Sequence, residues 1–189
     1  MYYSIGGEVY FEGFFMKKNT IYKAALALLL LAGTNSTPVL ADETTSQKPA
    51  VIMMLNFAGV HISKTKAAAV MPRSSNPNRG FIGSPYKAYP LGYLVAPNGV
   101  KPVVKRYLGK AVNMTGYPIS ALKQKLLKSH LVVVWVGAFD TFSNHALTLT
   151  GYKGSTLFYN DPWTGKKASI SEASFRVHWA LDAYRALSY

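Results

Sequence analysis

Two side chains in this sequence have the types and the setting for acid–base chemistry, His145 and Asp161. They lie near the outer ends of two strand-like runs, about His145 to Tyr152 and Thr156 to Asp161, which Lys153-Gly154-Ser155 joins as a tight hairpin turn. A turn centred on Lys153 sets the two residues directly opposite, with Cβ atoms about 5 Å apart, close enough for a carboxylate to orient an imidazole and stabilise its protonated form. A turn centred on Gly154 makes them diagonal neighbours, still within reach. Such a pair is the base and orienter of a nucleophilic site, expected at the mouth of a groove. The nucleophile is what is missing, because the chain contains no cysteine. That absence also removes disulfides, thiolate zinc sites and iron–sulfur clusters.

The elements that must position the pair form an α+β pattern, helices first and strands second. Val51, Met54, Leu55 and Ala58 repeat at helical spacing within Pro49 to Ala58, Gly59 ends that segment, and Ser46 stands where a cap belongs. A second short helix is expected over 63–71, stopped by Pro72. From Arg73 to Asn98 the sequence turns to Asn, Pro, Gly, Ser and Tyr and reads as a long ordered loop or lid. Helices are expected over Lys101 to Leu108 and Ile119 to Leu127, the latter with Pro118 in its first turn. Leu131-Val132-Val133-Val134-Trp135-Val136 is an unbroken, mostly β-branched run, the mark of a strand covered on both faces. Trp135, Trp163 and Trp179 are expected in the core or a cleft wall.

At Asn144-His145-Ala146-Leu147, Leu149-Thr150-Gly151-Tyr152 and Tyr159-Asn160-Asp161-Pro162-Trp163-Thr164-Gly165 the sequence resembles the papain-like cysteine peptidases related to the double-glycine, bacteriocin-leader peptidases. The likeness extends upstream through Met53 to Val60 and Asn76 to Phe81, so it spans nearly everything from Met53 onward. It implies a papain-like fold, N-terminal helices packed on an antiparallel sheet, with peptide-bond hydrolysis as the ancestral chemistry. It makes His145 the counterpart of the catalytic base and Asp161 that of the orienting carboxylate, and Ser174-Phe175 with Trp179 looks like the family's terminal helix. The family's thiol stands at the start of the helix that here contains Met53 and Met54, where the helix dipole and free amides lower a thiol pKa and hold an oxyanion. Counting back from Asn56 puts Ser46 and Gln47 in the places of Cys and Glu. Three readings follow: a deletion that removed the nucleophile and leaves a domain impaired as an enzyme, Ser46 as a replacement nucleophile, or an error in the gene model. A non-catalytic domain that binds a peptide or a cell-wall polymer is the alternative to residual peptidase activity.

The N-terminal portion reads as an address. A basic stretch opens at Met16-Lys17-Lys18, an apolar run covers Ala24 to Ala32, and Val39-Leu40-Ala41 supplies a small-residue cleavage site, the three regions of a secretory signal peptide. The apolar run is about half the roughly 20 residues a membrane span needs. Residues 1–15 contain Glu8 and Glu12 and fit no leader, so they are expected to be a mis-annotated upstream extension, 16–41 the signal peptide and 42–189 the peptidase-like domain. The chain of 189 residues carries 21 Lys+Arg against 8 Asp+Glu, +13 in all. An exported domain with that excess is expected, secreted or wall-associated, to meet anionic cell-wall polymer first. Specific nucleic-acid recognition is not expected, since no recognition motif appears and the charges are spread along the chain. His61, His130 and His178 have no metal-ligand spacing, so neither metal nor cofactor is expected, and the domain is expected to be a monomer with peptides as substrate or ligand.

Overall fold

The computed structural model describes residues 4–5, 8–9, 47–86 and 92–189. The expected signal peptide and Ser46 lie outside the described residues. In chain order the elements are β1 (Ser4–Ile5), β2 (Glu8–Val9), α1 (Gln47–Phe57), α2 (Lys64–Ala69), β3 (Ile82–Gly83), β4 (Gly92–Leu94), α3 (Pro97–Leu108), β5 (Val112–Asn113) and α4 (Ile119–Leu127). They continue with β6 (Val132–Val136), β7 (His145–Lys153), β8 (Thr156–Asn160), β9 (Lys167–Ser171), α5 (Glu172–Ala180) and β10 (Ala186–Ser188).

The β-branched run forms β6, with every residue buried. A strand of that kind has no polar side to give to water, so the sheet must be covered twice. On one face Ile119, Leu122 and Leu126 of α4 and Phe175 and Trp179 of α5 pack against Val132, Val134, Val136, Leu147 and Leu149. On the other, Ala50, Val51, Met54 and Leu55 of α1 and Val100, Val103 and Val104 of α3 pack against Val133, Trp135, Ala146 and Leu187. The strand order is β5–β10–β6–β7–β8–β9, each pair antiparallel, with β2 joining β7 at Val9 opposite Tyr152. This is the α+β class the pattern predicts, helices on an antiparallel sheet.

Several boundaries differ from the sequence reading. Helix α3 starts at Pro97 rather than at Lys101, its first turn built from Pro97-Asn98-Gly99, which reads as loop when taken alone. Proline at the first helical position loses no bond there, and Gly109 closes the far end with φ of 74° and an amide bond to the Lys105 carbonyl. Ser63 caps α2, accepting the Lys66 amide on its side chain. The stretch read as one long loop contains the two-stranded β3–β4 sheet. Strands β5, β9 and β10 complete the main sheet without having been legible, each being five residues or shorter.

The start of α3 is fixed on the 76–80 turn: the Pro77 carbonyl accepts the Ala96 amide at 2.9 Å. A Cβ on Gly99 would fall 2.3 Å from that same oxygen and 2.8 Å from Val95 Cγ2. In an open helix Gly→Ala gains stability, by about 1 kcal/mol. Here overpacking reverses the sign, and Gly99→Ala is expected to destabilise by about 1–3 kcal/mol, lowering Tm by roughly 3–10 °C. A thermal melt in which the variant equals or exceeds the parent would show that this contact does not hold α3.

Candidate active site

Strand β7 begins with His145, and the hairpin that follows returns to Asp161 immediately after β8. The expected direct opposition is corrected by the register. Lys153 pairs with Thr156 and Gly151 with Phe158, but Leu149 pairs with Tyr159 and Thr148 with Asn160, so Thr150 is an extra residue in β7. The turn therefore lies one step beyond Lys153, on Gly154-Ser155, and the bulge shifts the pairing near the site. His145 and Asp161 end as diagonal neighbours, the second of the two registers the sequence allows. They still meet: His145 Nε2 lies 2.8 Å from Asp161 Oδ1.

The carboxylate is surrounded by donors. Asp161 Oδ1 also accepts the Trp163 amide at 2.8 Å, and Oδ2 accepts the Thr164 hydroxyl at 2.9 Å. Burial acts to raise its pKa, but the Trp163 amide, the Thr164 hydroxyl and His145 outweigh it and hold the carboxyl below its ordinary value. An ionised carboxylate only accepts, so the imidazole proton sits on Nε2 and donates to Oδ1. For His145 burial is the largest influence and lowers the pKa, with Asp161 and the more distant Asp140 pulling the other way. The pair at neutral pH is a neutral imidazole donating to a carboxylate.

His145 is 0% exposed, not at the mouth of a groove as expected. Phe142 stacks on the ring at 4.8 Å and 10°, and Phe139 lies nearly parallel to it at 6.1 Å and 8°. These two phenylalanines are the flanks of a four-residue turn closed by mutual backbone bonds, Phe139 to Phe142 at 3.0 Å and back at 2.9 Å. The central residues, Asp140 and Thr141, have φ of 45° and 72°. Positive φ at both centres matches the right-handed twist of a hairpin, and paired flanks point to one side, which is why both rings reach the imidazole. Trp163 meets the edge of Phe142 at 5.2 Å and is itself half exposed. Trp135 and Trp179 are buried in the two core layers. Sequence reasoning missed Phe139, Phe142 and Thr164. The signal for Thr164 was present in Asp161-Pro162-Trp163-Thr164-Gly165, where an Asp side chain collects the donors of its own turn.

The remaining ring nitrogen, His145 Nδ1, is buried and has no hydrogen-bond partner among the described residues. Helix α1 runs beside β7 in the same direction. The Ala50 carbonyl accepts the Thr148 hydroxyl at 3.1 Å, Met53 Sδ lies 4.0 Å from that hydroxyl, and Met53 to Phe57 continue past Thr150. The start of α1 is thus directed toward the His145 end of the strand, where the family likeness puts a nucleophile. Strand alternation keeps them apart: α1 covers Ala146 and Thr148, whereas His145 shares the α4–α5 face with Leu147 and Leu149. None of the described residues of α1 hydrogen-bonds the imidazole. On the α1 face lies a cleft of about 520 Å³, with Met53, Asn56 and Phe57 on one wall and Phe158 and Asn160 on the other.

Comparison with known proteins agrees with this architecture. The model of the Peptidase_C39 like family matches residues 47–187, from the first residue of α1 into β10. The uncharacterized protein YvpB of Bacillus subtilis (strain 168) is 29% identical over 157 residues, 67% of this chain and 61% of its own length. The chain therefore spans about three fifths of that relative. A Bacillus anthracis crystal structure assigned to the C39-like peptidases superposes with a TM-score of 0.70 at 24% identity, covering 78% of this chain and 88% of that one. That likeness establishes the fold, and the family match runs through both helical layers and the sheet between them: the chain belongs to the Peptidase_C39 like family.

Proposed function

We propose that this protein is an exported, non-hydrolytic member of its family, a peptidase fold that keeps the base and its orienting carboxylate, lacks the thiol, and holds peptides without cutting them. One observation carries the reading. The imidazole nitrogen that would face a nucleophile, His145 Nδ1, is buried without a partner among the described residues, in a chain that contains no cysteine. In an acting enzyme of this type the thiolate attacks the scissile carbonyl, the imidazole protonates the leaving amine, and the carboxylate holds the ring. On this reading His145 and Asp161 are the second and third parts, and the thiol is absent. The two stacked phenylalanines further separate the base from solvent and from any peptide.

Retention of a peptide is supported by the cleft beside α1. Its apolar wall suits side chains, and Lys167 and Ser169 of β9 stand at its rim. Among the described residues β9 pairs only with β8, so its outer edge offers backbone donors and acceptors to an extended segment. Export rests on the three-part leader at residues 16–41.

A panel of fluorogenic peptides incubated with the protein is expected to show no cleavage above buffer, equally for the parent, His145→Ala and Ser46→Ala. Turnover by the parent that either substitution abolishes would establish a nucleophile this reading denies.

The neutral imidazole also predicts a pH dependence. A folded-state pKa below the ordinary 6.5 means that the unfolded chain takes up a proton that the native site refuses. Stability is therefore full above about 6.5 and is lost as pH falls from there toward the folded value. Asp161 acts in a lower window: its contribution is full above the ordinary carboxyl value and is lost as pH falls through its depressed folded value. His130 is shifted in the same direction as His145, so the comparison between variants isolates the site. Tm is expected to fall between pH 7.5 and pH 5.5, and to fall less in His145→Gln. Parallel curves for the two proteins would overturn the neutral assignment.

A further inference from the structure

A second pocket lies on the far side of the domain, where Lys110 after α3, Lys125 and Lys128 at the end of α4, and His130 before β6 converge around a cavity of about 390 Å³. Its chemistry is one-sided. The four acidic residues from residue 50 onward are Asp140, Asp161, Glu172 and Asp182, and none lines the cavity. Glu172 pairs with Lys123, Asp182 with Arg185 and Asp161 with His145. Lys125 Nζ donates to the main-chain oxygen of Tyr189 at 2.8 Å, and His130 also bonds that backbone, which fixes the inner end of the cluster. Lys110 and Lys128 have no acidic partner among the described residues. His130 Nδ1 is buried with no hydrogen-bond partner.

Cations gathered with no acidic side chain among them repel one another. After burial, the largest lowering of both Lys125 and His130 comes from neighbouring lysines, Lys110 foremost. An arrangement of this kind gains most from a multivalent anion. The donors are ammonium groups on flexible stems, with no arginine lining the cavity, which suits a tetrahedral phosphate more than the planar fork preferred by a carboxylate. The cavity is larger than a bare ion requires and is floored by Met114 and Ala121, with Tyr117 at its edge.

We infer that this pocket binds a phosphate ester, its anion held by Lys110, Lys125 and Lys128 and its carbon skeleton lying over Met114 and Ala121. The site is separate from His145 and does not depend on the fate of the proposed peptide-binding role. The same glycerophosphate chemistry occurs in soluble or polymeric polyol phosphates and in phospholipid headgroups.

Calorimetric titration of the full chain with sn-glycerol 3-phosphate at low salt tests it. Binding is expected, tighter than for inorganic phosphate and undetectable for glycerol. Lys110→Gln/Lys128→Gln is expected to weaken it about tenfold, whereas Lys64→Gln/Lys66→Gln, the same charge change on the exposed face of α2, alters it less than about twofold. Circular dichroism and Tm confirm that both variants are folded; should the pocket pair fail to fold, Lys110→Gln alone is expected to weaken binding by about threefold. Equal weakening by the two pairs would reduce the effect to diffuse charge and overturn the site, and inorganic phosphate binding as tightly as the ester would overturn the role of the apolar floor. Sedimentation with phosphatidylglycerol vesicles separates the sources. Vesicle binding lost in the pocket variant assigns the ester to a lipid headgroup, vesicle binding unchanged while the soluble ester is lost assigns it to a soluble or polymeric phosphate, and loss of neither overturns the proposal.

Discussion

Strand β6 has no wet side, and the rest of the molecule is arranged around that constraint. From Leu131 to Val136 no residue is more than 3% exposed. Each apolar side chain left in water would forfeit about 1.5–3 kcal/mol of burial, so helices must lie on both faces, and they do: α1 and α3 on one, α4 and α5 on the other. Its partner β7 inherits the same double cover, because Val136 pairs with His145 and Val132 with Leu149. The first residue of β7 is the imidazole. Its dryness, and hence its neutral state, follows from where the sheet puts it as much as from the two phenylalanines that close over it.

What the sequence disclosed divides along the same line. Features written in long apolar periodicity were legible: β6 as a doubly covered strand, α4 over Ile119–Leu127 with its stated boundaries, and the β7–β8 hairpin. The family likeness, carried by the Asn144 and Asn160 segments, proved correct in family and fold. Features that depend on partners distant in sequence were hidden. Helix α3 begins in Pro-Asn-Gly because Gly99 meets the Pro77 carbonyl, a contact that no local pattern announces. Strands β5 and β10 are two and three residues long and exist only because β10 closes onto β6. At the site, residue types were readable and geometry was not. The turn on Gly154-Ser155 and the extra residue at Thr150 together make the pair diagonal rather than opposed, and the stacking of Phe139 and Phe142 depends on a turn with φ positive at Asp140 and Thr141, which are not the glycine or asparagine that signal such turns.

On the proposed reading, a base and its orienter outlast a nucleophile because folding needs them. Asp161 does more than orient an imidazole. Its carboxylate accepts the Trp163 amide, the Thr164 hydroxyl and the imidazole, and its backbone bonds to Lys166 and Gly165, so one residue closes the whole turn between β8 and β9. Each hydrogen bond to a charged acceptor contributes about 1.5–3 kcal/mol, and removing a donor leaves a buried charge undersatisfied. His145 is one of those donors and also stacks against Phe142. Helix α1 is held through Ala50, Val51, Met54 and Leu55. Loss of either member of the pair would open a cavity in the core and leave a buried polar atom short of a partner. The pairing of His145 with Asp161 is therefore accounted for by stability, without any need for turnover.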